Sequence, residues 1–358
     1  MKMWKQSVMG NNEVNDRAKR PAKRLTALAL AALLAVSAVT VTGCGDSDGQ
    51  EYAWVMATAS PEDTVTGIYA NKFAEEVEAL SGGELRIQVY HNSVLGGDTE
   101  LIESCQCGDI PFVVQNTAPE VSYMPRLALF DLPCVFSDLD ELHEVLDDET
   151  FMGKINEIYE DAGFRLLGMA DQNFRVMTSN VRVESMDDFK GIKIRTMENS
   201  YHMAFWSDFG TNPTPMAFAE LYVGLEQHTV DAQENPYEVI CSNGFYEVQD
   251  YVIETNHLPH LLALVTNSEF YQNLSPEEQA IIDEAAEIAK EYAREQAVAR
   301  SDSKIEEITE GGAEIVEVSD ELRDEMRAAC SDVYEEIRGV VNDDELFFAY
   351  CGSVYAGQ

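Results

Sequence analysis

Arg195 closes the run "GIKIRT", residues 191–196, in a chain of 358 residues with a formal net charge of −41 at pH 7. The run reads as a strand, and "MENSYHMAFW" after it reads as a turn and then a helix. A guanidinium flanked by apolar residues at a strand end is partly buried, and burying its charge demands an anionic partner. Either a structural carboxylate or a bound anion can fill that role. Arginine suits a carboxylate well: its planar fork makes two parallel charge-assisted bonds, which a lysine ammonium cannot copy.

The segments that follow are unusually stiff. In "GTNPTPMAF", residues 210–218, Pro213 and Pro215 fix two φ angles and force an extended path. "VDAQENP" (residues 230–236) and "FYEVQDYV" (residues 245–252) come next. Prolines this close within an α/β unit suggest ordered loops at strand ends, where open α/β sheets bind ligands.

Other chemistry is sparse. The sequence has no G-x-S-x-G elbow, no H-E-x-x-H, no Walker A loop and no G-x-G-x-x-G after a strand. Its six histidines are scattered; His257 and His260 form an H-x-x-H interrupted by Pro259, with no obvious third ligand. Cys105 and Cys107 lack a second pair at zinc spacing. Acidic pairs such as Asp187/Asp188 and Asp343/Asp344 read as solvated faces. No metal, no cofactor and no catalytic residue is therefore expected.

The elements that must position Arg195 alternate between strand and helix. "YAWVMATA" reads as a strand. "TGIYANKFAEEVEAL" is a helix with Ile68, Phe73, Val77 and Leu80 on one face, stopped by "SGG". "ELRIQVY" alternates with Leu85, Ile87 and Val89 on one side. Such units imply a parallel α/β sheet. "FRLLGMA" and "RVMTSN" read as two further strands, and "MDDFKGIKIRT" as a helix start, a glycine break and another strand. From Ser275 a helix of more than twenty-five residues opens with Pro276 at its first position and a Ser275/Glu278 capping box. Its stripe is Ile281, Ile282, Ala285, Ala286, Ala289, Tyr292 and Ala293, and its length suits a helix spanning two domains.

Hydrophobic content of 45% and charged content of 25% are ordinary for a globular chain, and the length allows two domains. The acid excess argues against nucleic acid, which requires a basic face, and against polybasic docking on lipid. Residues 1–43 differ: they net +5, which leaves −46 for the remainder. A basic start, the apolar "LTALALAALLAVSAVTV" and a small-residue site form the layout of an export leader, with a retained membrane anchor as the alternative. "VTGC" matches a lipobox, so Cys44 is read as the lipidated first mature residue, and residues 44–50 as a flexible tether. The six other cysteines permit disulfides outside the cell but also read as buried thiols.

Over about residues 52–340 the chain resembles the extracytoplasmic substrate-binding proteins of tripartite ATP-independent periplasmic (TRAP) transporters, the DctP type. The resemblance rests on "KFAEEVEALSGGELRIQVYHNSVLGGDTELIE", "FRVMTSNVRVESMDDFKGIKIRT", "GTNPTPMAFAELYVGLEQHTVDAQENP" and "FYEVQDYVIETNHL". It implies an α/β, two-domain periplasmic-binding-protein-like fold with hinge strands and a long domain-spanning helix. One domain is expected over 51–172 plus about 261–300, the other over 173–260 plus about 301–358. The implied function is a solute receptor, not an enzyme. It closes over an organic acid and delivers it to the small and large membrane subunits of an ion-gradient-driven permease. A monomer is expected, extracytoplasmic and lipid-anchored to the outer face of the cytoplasmic membrane, or periplasmic in a didermic host. A sensory binding protein and a cell-surface sugar-acid enzyme are the alternative readings.

The resemblance also assigns residues. Arg195 stands at the family's carboxylate-binding arginine and Arg175 at a second arginine that often contacts the same ligand; an internal ion pair is the alternative for each. Asn235 matches a cleft asparagine, or else a turn former before Pro236. Phe218 matches an aromatic wall, or else core. Glu198 reaches ligand hydroxyls or is an exposed helix-start carboxylate. Asn116 stands where sialic-acid binders often have Glu, and Ala57 and Thr58 where they have Asn, which argues against sialic acid. "ADQNFR" and "RTMENSYHMAFW" look like the sugar-acid branch, with Ala170 and Asn173 replacing its usual Trp and Gly. A uronate, aldonate or keto-sugar acid is the implied ligand class, with dicarboxylates and other small carboxylates as the alternative.

Overall fold

Two long strands run through the middle of the sheet, and everything else hangs from them. The computed structural model describes residues 54–352; the leader read over 1–43, Cys44 and the tether lie outside these residues. Nine strands follow in chain order: β1 (Trp54–Ala57), β2 (Ile87–Tyr90), β3 (Phe112–Asn116), β4 (Phe164–Ser179), β5 (Lys193–Thr196), β6 (Asn212–Pro215), β7 (Ala232–Asn235), β8 (Tyr251–Asn267) and β9 (Glu314–Val316). They form one sheet in the order β2-β1-β3-β8-β4-β7-β5-β6, with β9 also on β8. The outer strands pair in parallel, as the alternating pattern predicted. The sheet as a whole is mixed, because β4 pairs antiparallel with both β7 and β8, and β8 antiparallel with β3.

β4 corrects one sequence expectation. "FRLLGMA" and "RVMTSN" are not two strands but one of 16 residues. The polar "DQN" between them looks like a loop, yet its side chains are satisfied internally. Asp171 accepts from His143 Nε2 at 2.6 Å and Gln172 bonds Thr66 and Glu238. The register slips here instead, at Asp171/Phe174 and again at Arg175/Met177. Asn173 adopts a φ of 62°, and Asn256 on the facing strand a φ of 40°. Both long strands are thus irregular over the stretch in which β4 residues 171–177 face β8 residues 253–261.

Helices cover both faces. In chain order they are α1 (Val65–Leu80), α2 (Asp98–Gln106), α3 (Leu139–Leu146), α4 (Glu149–Asp161), α5 (Ser200–Asp208), α6 (Leu221–Glu226), α7 (Tyr237–Ser242), α8 (Ser268–Asn273), α9 (Pro276–Glu310), α10 (Asp320–Ala329), α11 (Ser331–Val341) and α12 (Asp344–Cys351). The buried face of α1 is Val65, Tyr69, Phe73 and Val77. Ile68 and Leu80, read as part of that stripe, stay partly exposed, because the tyrosine ring competes better for the interior than the pattern allowed.

α9, foreseen as a helix of more than twenty-five residues, has 35, with both halves of the Ser275/Glu278 capping box formed and Pro276 in its first turn. Ile282, Ala285, Ala286, Ala289, Ala293 and Ala297 pack with α1, β1 and β3, while Tyr292 remains exposed. Ile308, near the other end, joins a separate cluster with Leu221, Val239, Ile240 and Phe245. The helix therefore runs alongside both ends of the sheet. Alanines let it approach closely over its first half. Among the described residues no helix is long and apolar enough to cross a membrane.

Candidate functional site

Arg195 sits where a strand hands over to a helix. β5 is buried at Ile194, Arg195 and Thr196, and Asn199 caps α5 by accepting from the Tyr201 and His202 amides. This fixes the backbone on both sides of the guanidinium. The side chain is 2% exposed. Its Nε and Nη2 donate to the Met216 carbonyl at 2.9 and 2.7 Å. Nη1 is buried and has no hydrogen-bond partner. The Met216 carbonyl thus occupies one edge of the fork, while the edge formed by Nη1 and the remaining Nη2 proton stays open.

That arginine lines a cavity of about 430 Å³, together with Asp98, Pro119, Glu198, Met216 and Phe218. Burial pushes the Arg195 guanidinium down to about 10, with Glu234 and Asp98 pulling the other way. It remains charged at neutral pH. Burial also raises the Asp98 carboxyl to about 6, against the pull of Arg195 and with help from Glu198. A cation held open in one wall and carboxylates in the others can bind a solute bearing one carboxylate and several hydroxyls.

The six residues read from the sequence divide into two sets. Arg195, Phe218 and Glu198 line the cavity. Phe218 is half-buried, edge-on to Phe245 at 6.2 Å, and Glu198 accepts from Thr99 Oγ1 at 3.0 Å across the mouth. Arg175, Asn235 and Asn116 lie elsewhere in the interior. Arg175 is 1% exposed and is spent on internal partners: Glu234 through Nε and Nη2, the Asn235 Oδ1 at 3.2 Å and the His260 Nδ1. Asn235 also donates to Gln233 at 2.6 Å. Asn116 donates to the Leu261 carbonyl at 2.9 Å and accepts from the Ala118 amide at 2.9 Å. The geometry here is the internal-pair alternative for Arg175, and a supporting rather than cavity-lining place for both asparagines.

Sequence reasoning missed three participants. Asp98 begins α2 after "LGG", where Gly96 holds a φ of 136° and a Cβ would come within 2.8 Å of Glu100. An acid directly after a glycine turn at a helix start was the available signal. The Met216 carbonyl carried none. Glu234 was hidden among many acids; it is wholly buried, bonded to Arg175 and to His257 Nε2 at 3.0 Å, and Arg175 and His257 hold its carboxyl far below the usual range despite burial. Burial pushes the imidazoles of His257 and His260 below the usual histidine range, and Nδ1 of His257 pairs with Thr255 Oγ1 at 2.8 Å.

A larger hollow of about 490 Å³ lies between α4, β4 and α9, but it is lined by Asp147, Asp148, Glu149, Glu287 and Glu291 against a single Lys290. It would repel an anion. Among the described residues no group of side chains could hold a metal, and all six described cysteines are free thiols, only Cys107 exposed.

A mixed sheet crossed by two long strands, a helix that joins two separate hydrophobic clusters and a cavity lined by one open guanidinium fit a solute-binding protein of the two-lobed kind. Residues 56–339 match the bacterial extracellular solute-binding proteins of family 7, DctP, and the chain belongs to that family. Its members are receptors of TRAP transporters, not enzymes. The chain is 32% identical to the 2,3-diketo-L-gulonate-binding periplasmic protein YiaO of Escherichia coli over 254 residues, 70% of this chain and 76% of that one. It is 30% identical to a Polaromonas TRAP solute-binding protein solved with D-erythronate (TM-score 0.80, 84% and 99% of the chains). It is 28% identical to one from Sulfitobacter solved with β-D-galacturonate (TM-score 0.79, 83% and 99%).

Proposed function

We propose that this receptor captures a sugar acid, a uronate, aldonate or keto-sugar acid, by pairing its carboxylate with the open edge of Arg195. The single observation behind this is a buried, charged guanidinium whose Nη1 lacks a partner beside a cavity of about 430 Å³. An unpaired buried cation is costly, and a ligand carboxylate removes that cost. Glu198 accepts hydrogen bonds from hydroxyls of the sugar chain, Asp98 faces its carboxylate end, and Phe218 covers its apolar face. Arg175 holds Glu234 and Asn235 in place behind the site. The ligands of YiaO and of the two structural relatives support the sugar-acid class. Two lobes close on the solute by bending where β4 and β8 lose register. The receptor acts as a monomer, tethered through lipidated Cys44, and passes the acid to the small and large membrane subunits of the permease.

Thermal denaturation against hexuronates, aldonates, keto-sugar acids, C4 dicarboxylates, sialic acid and neutral sugars tests this reading. A ligand at a hundredfold excess over Kd adds about 2.7 kcal/mol to native stability, enough to raise the midpoint by several degrees. A shift with sugar acids and none with neutral sugars is expected. Stabilisation by neutral sugars alone would overturn the role of Arg195. For the anchor, metabolic labelling with a clickable fatty acid should mark the wild-type protein and not Cys44→Ser; an unlabelled wild type would remove the lipid tether.

A further inference from the structure

Glu238 lies outside the residues that line the cavity, yet it ties three parts of the fold together. It sits on α7, one residue past the Pro236 and Tyr237 that follow β7, and its side chain is 7% exposed. Its Oε1 accepts from Arg300 Nε of α9 at 2.6 Å. Its Oε2 accepts from the Val65 amide in the first turn of α1 at 3.2 Å and from Gln172 Nε2 of β4 at 3.3 Å. Gln172 in turn accepts from Thr66 Oγ1 at 3.1 Å, and Arg300 Nη2 donates to the Asp63 carbonyl just before α1 at 2.6 Å.

Glu238 and the start of α1 belong to opposite ends of the sheet, with Gln172 on central β4 and Arg300 on α9 between them. α7 packs at the Arg195 end, where Val239, Ile240 and Cys241 join Leu221 and Phe245. α1 packs at the other end, on β1 and β3, through Val65, Tyr69 and Phe73. Between these two helices the carboxylate is a direct polar bridge, and it meets the positive end of α1, where unpaired amides and the helix dipole favour an anion. Burying a carboxylate is costly unless every partner is in place. If the ends move apart, water can replace the Val65 and Gln172 contacts at little loss. Such a contact is stable when assembled and readily released, which suits a moving joint better than an apolar contact does.

We propose that Glu238 is the latch of the closed receptor, a positioning residue that sets how long a solute is held without touching it. The proposal rests on the capture reading given above. Its test separates the two. A bio-orthogonal fluorophore pair at positions 84 and 223, exposed at opposite ends of the sheet, reports closure in the full chain by energy transfer between single molecules. Glu238→Gln keeps the shape of the side chain and can still accept the α1 amide. In the free protein it should lower the closed population, and Arg300→Gln should do the same, the double variant adding little to either. With a bound sugar acid, Glu238→Gln should speed dissociation about tenfold while leaving the affinity ratio between two sugar acids unchanged. An unaltered closed population in the free variant would overturn the latch, as would a changed affinity ratio, which would place Glu238 in contact with solute. If no organic acid binds the wild-type chain, the capture reading fails, and the free-protein populations still decide on the latch.

Discussion

A guanidinium with one edge fixed and one edge open is a preorganised receptor for a planar anion. The Met216 carbonyl holds Arg195 in place before any ligand arrives, so little side-chain entropy remains to be lost on binding. Arg195→Ala should cost about 2–5 kcal/mol of binding free energy, read by titration calorimetry; unchanged affinity would exclude the pairing. Arg195→Lys keeps the charge but loses the fork, so it should bind far more weakly than the wild type, and equal affinity would reject two-point recognition. Asp98 gives a pH signature. Its carboxyl, raised to about 6, is mostly ionised at pH 7 and faces the incoming anion. Protonation as pH falls through 6 removes that repulsion while the ligand carboxylate, with a pKa near 3.5, stays charged. Affinity should therefore rise, by up to about tenfold between pH 7.5 and 5 for a coupling near one pKa unit, and Asp98→Asn should flatten the profile. A flat wild-type profile would remove Asp98 from the carboxylate's neighbourhood. The ionised form of Asp98 also carries a folding penalty above pH 6 that is relieved as pH falls through that value.

Strands and helices explain what the sequence could and could not announce. The capping box at Ser275, the stripe of alanines in α9 and the extended path of the proline segment are local features, though that segment, read as an ordered loop, pairs with β5 as the edge strand β6. They were legible for that reason. So was the place of Arg195, because a strand end followed by an N-capped helix is a short-range pattern. The continuity of β4 was not legible. Asp171 and Gln172 are polar, and only partners brought in from α3, α1 and α7 keep them inside a strand. The pairing of Arg175 was equally hidden, since Glu234 lies 59 residues away and nothing local pairs them. That pair should matter to stability. Glu234→Gln leaves Arg175 and its charge buried without a carboxylate, a loss of about 3–5 kcal/mol in chemical denaturation. A loss under about 1 kcal/mol would mean that Arg175 finds another partner and is freer than its burial implies.

For the molecule as a whole, the charge of −41 is a repulsion that folding has to overcome. Salt screens such fields over about 10 Å at 0.1 M. The thermal midpoint should therefore rise between low and moderate sodium chloride; a falling midpoint would show that paired charges such as Arg300–Glu238 outweigh the excess. The two central strands have a further consequence, in time rather than in space. β4 ends at Ser179 and its neighbour β8 begins at Tyr251, so β4 lacks its main partner until 72 more residues have been made. At a ribosomal pace of about 5–20 residues per second that wait is roughly 4–14 s, and contacts so distant along the chain form slowly afterwards. A protein of an exported family gains from this delay. The chain stays loose during the interval in which a secretion channel must accept it as an extended thread.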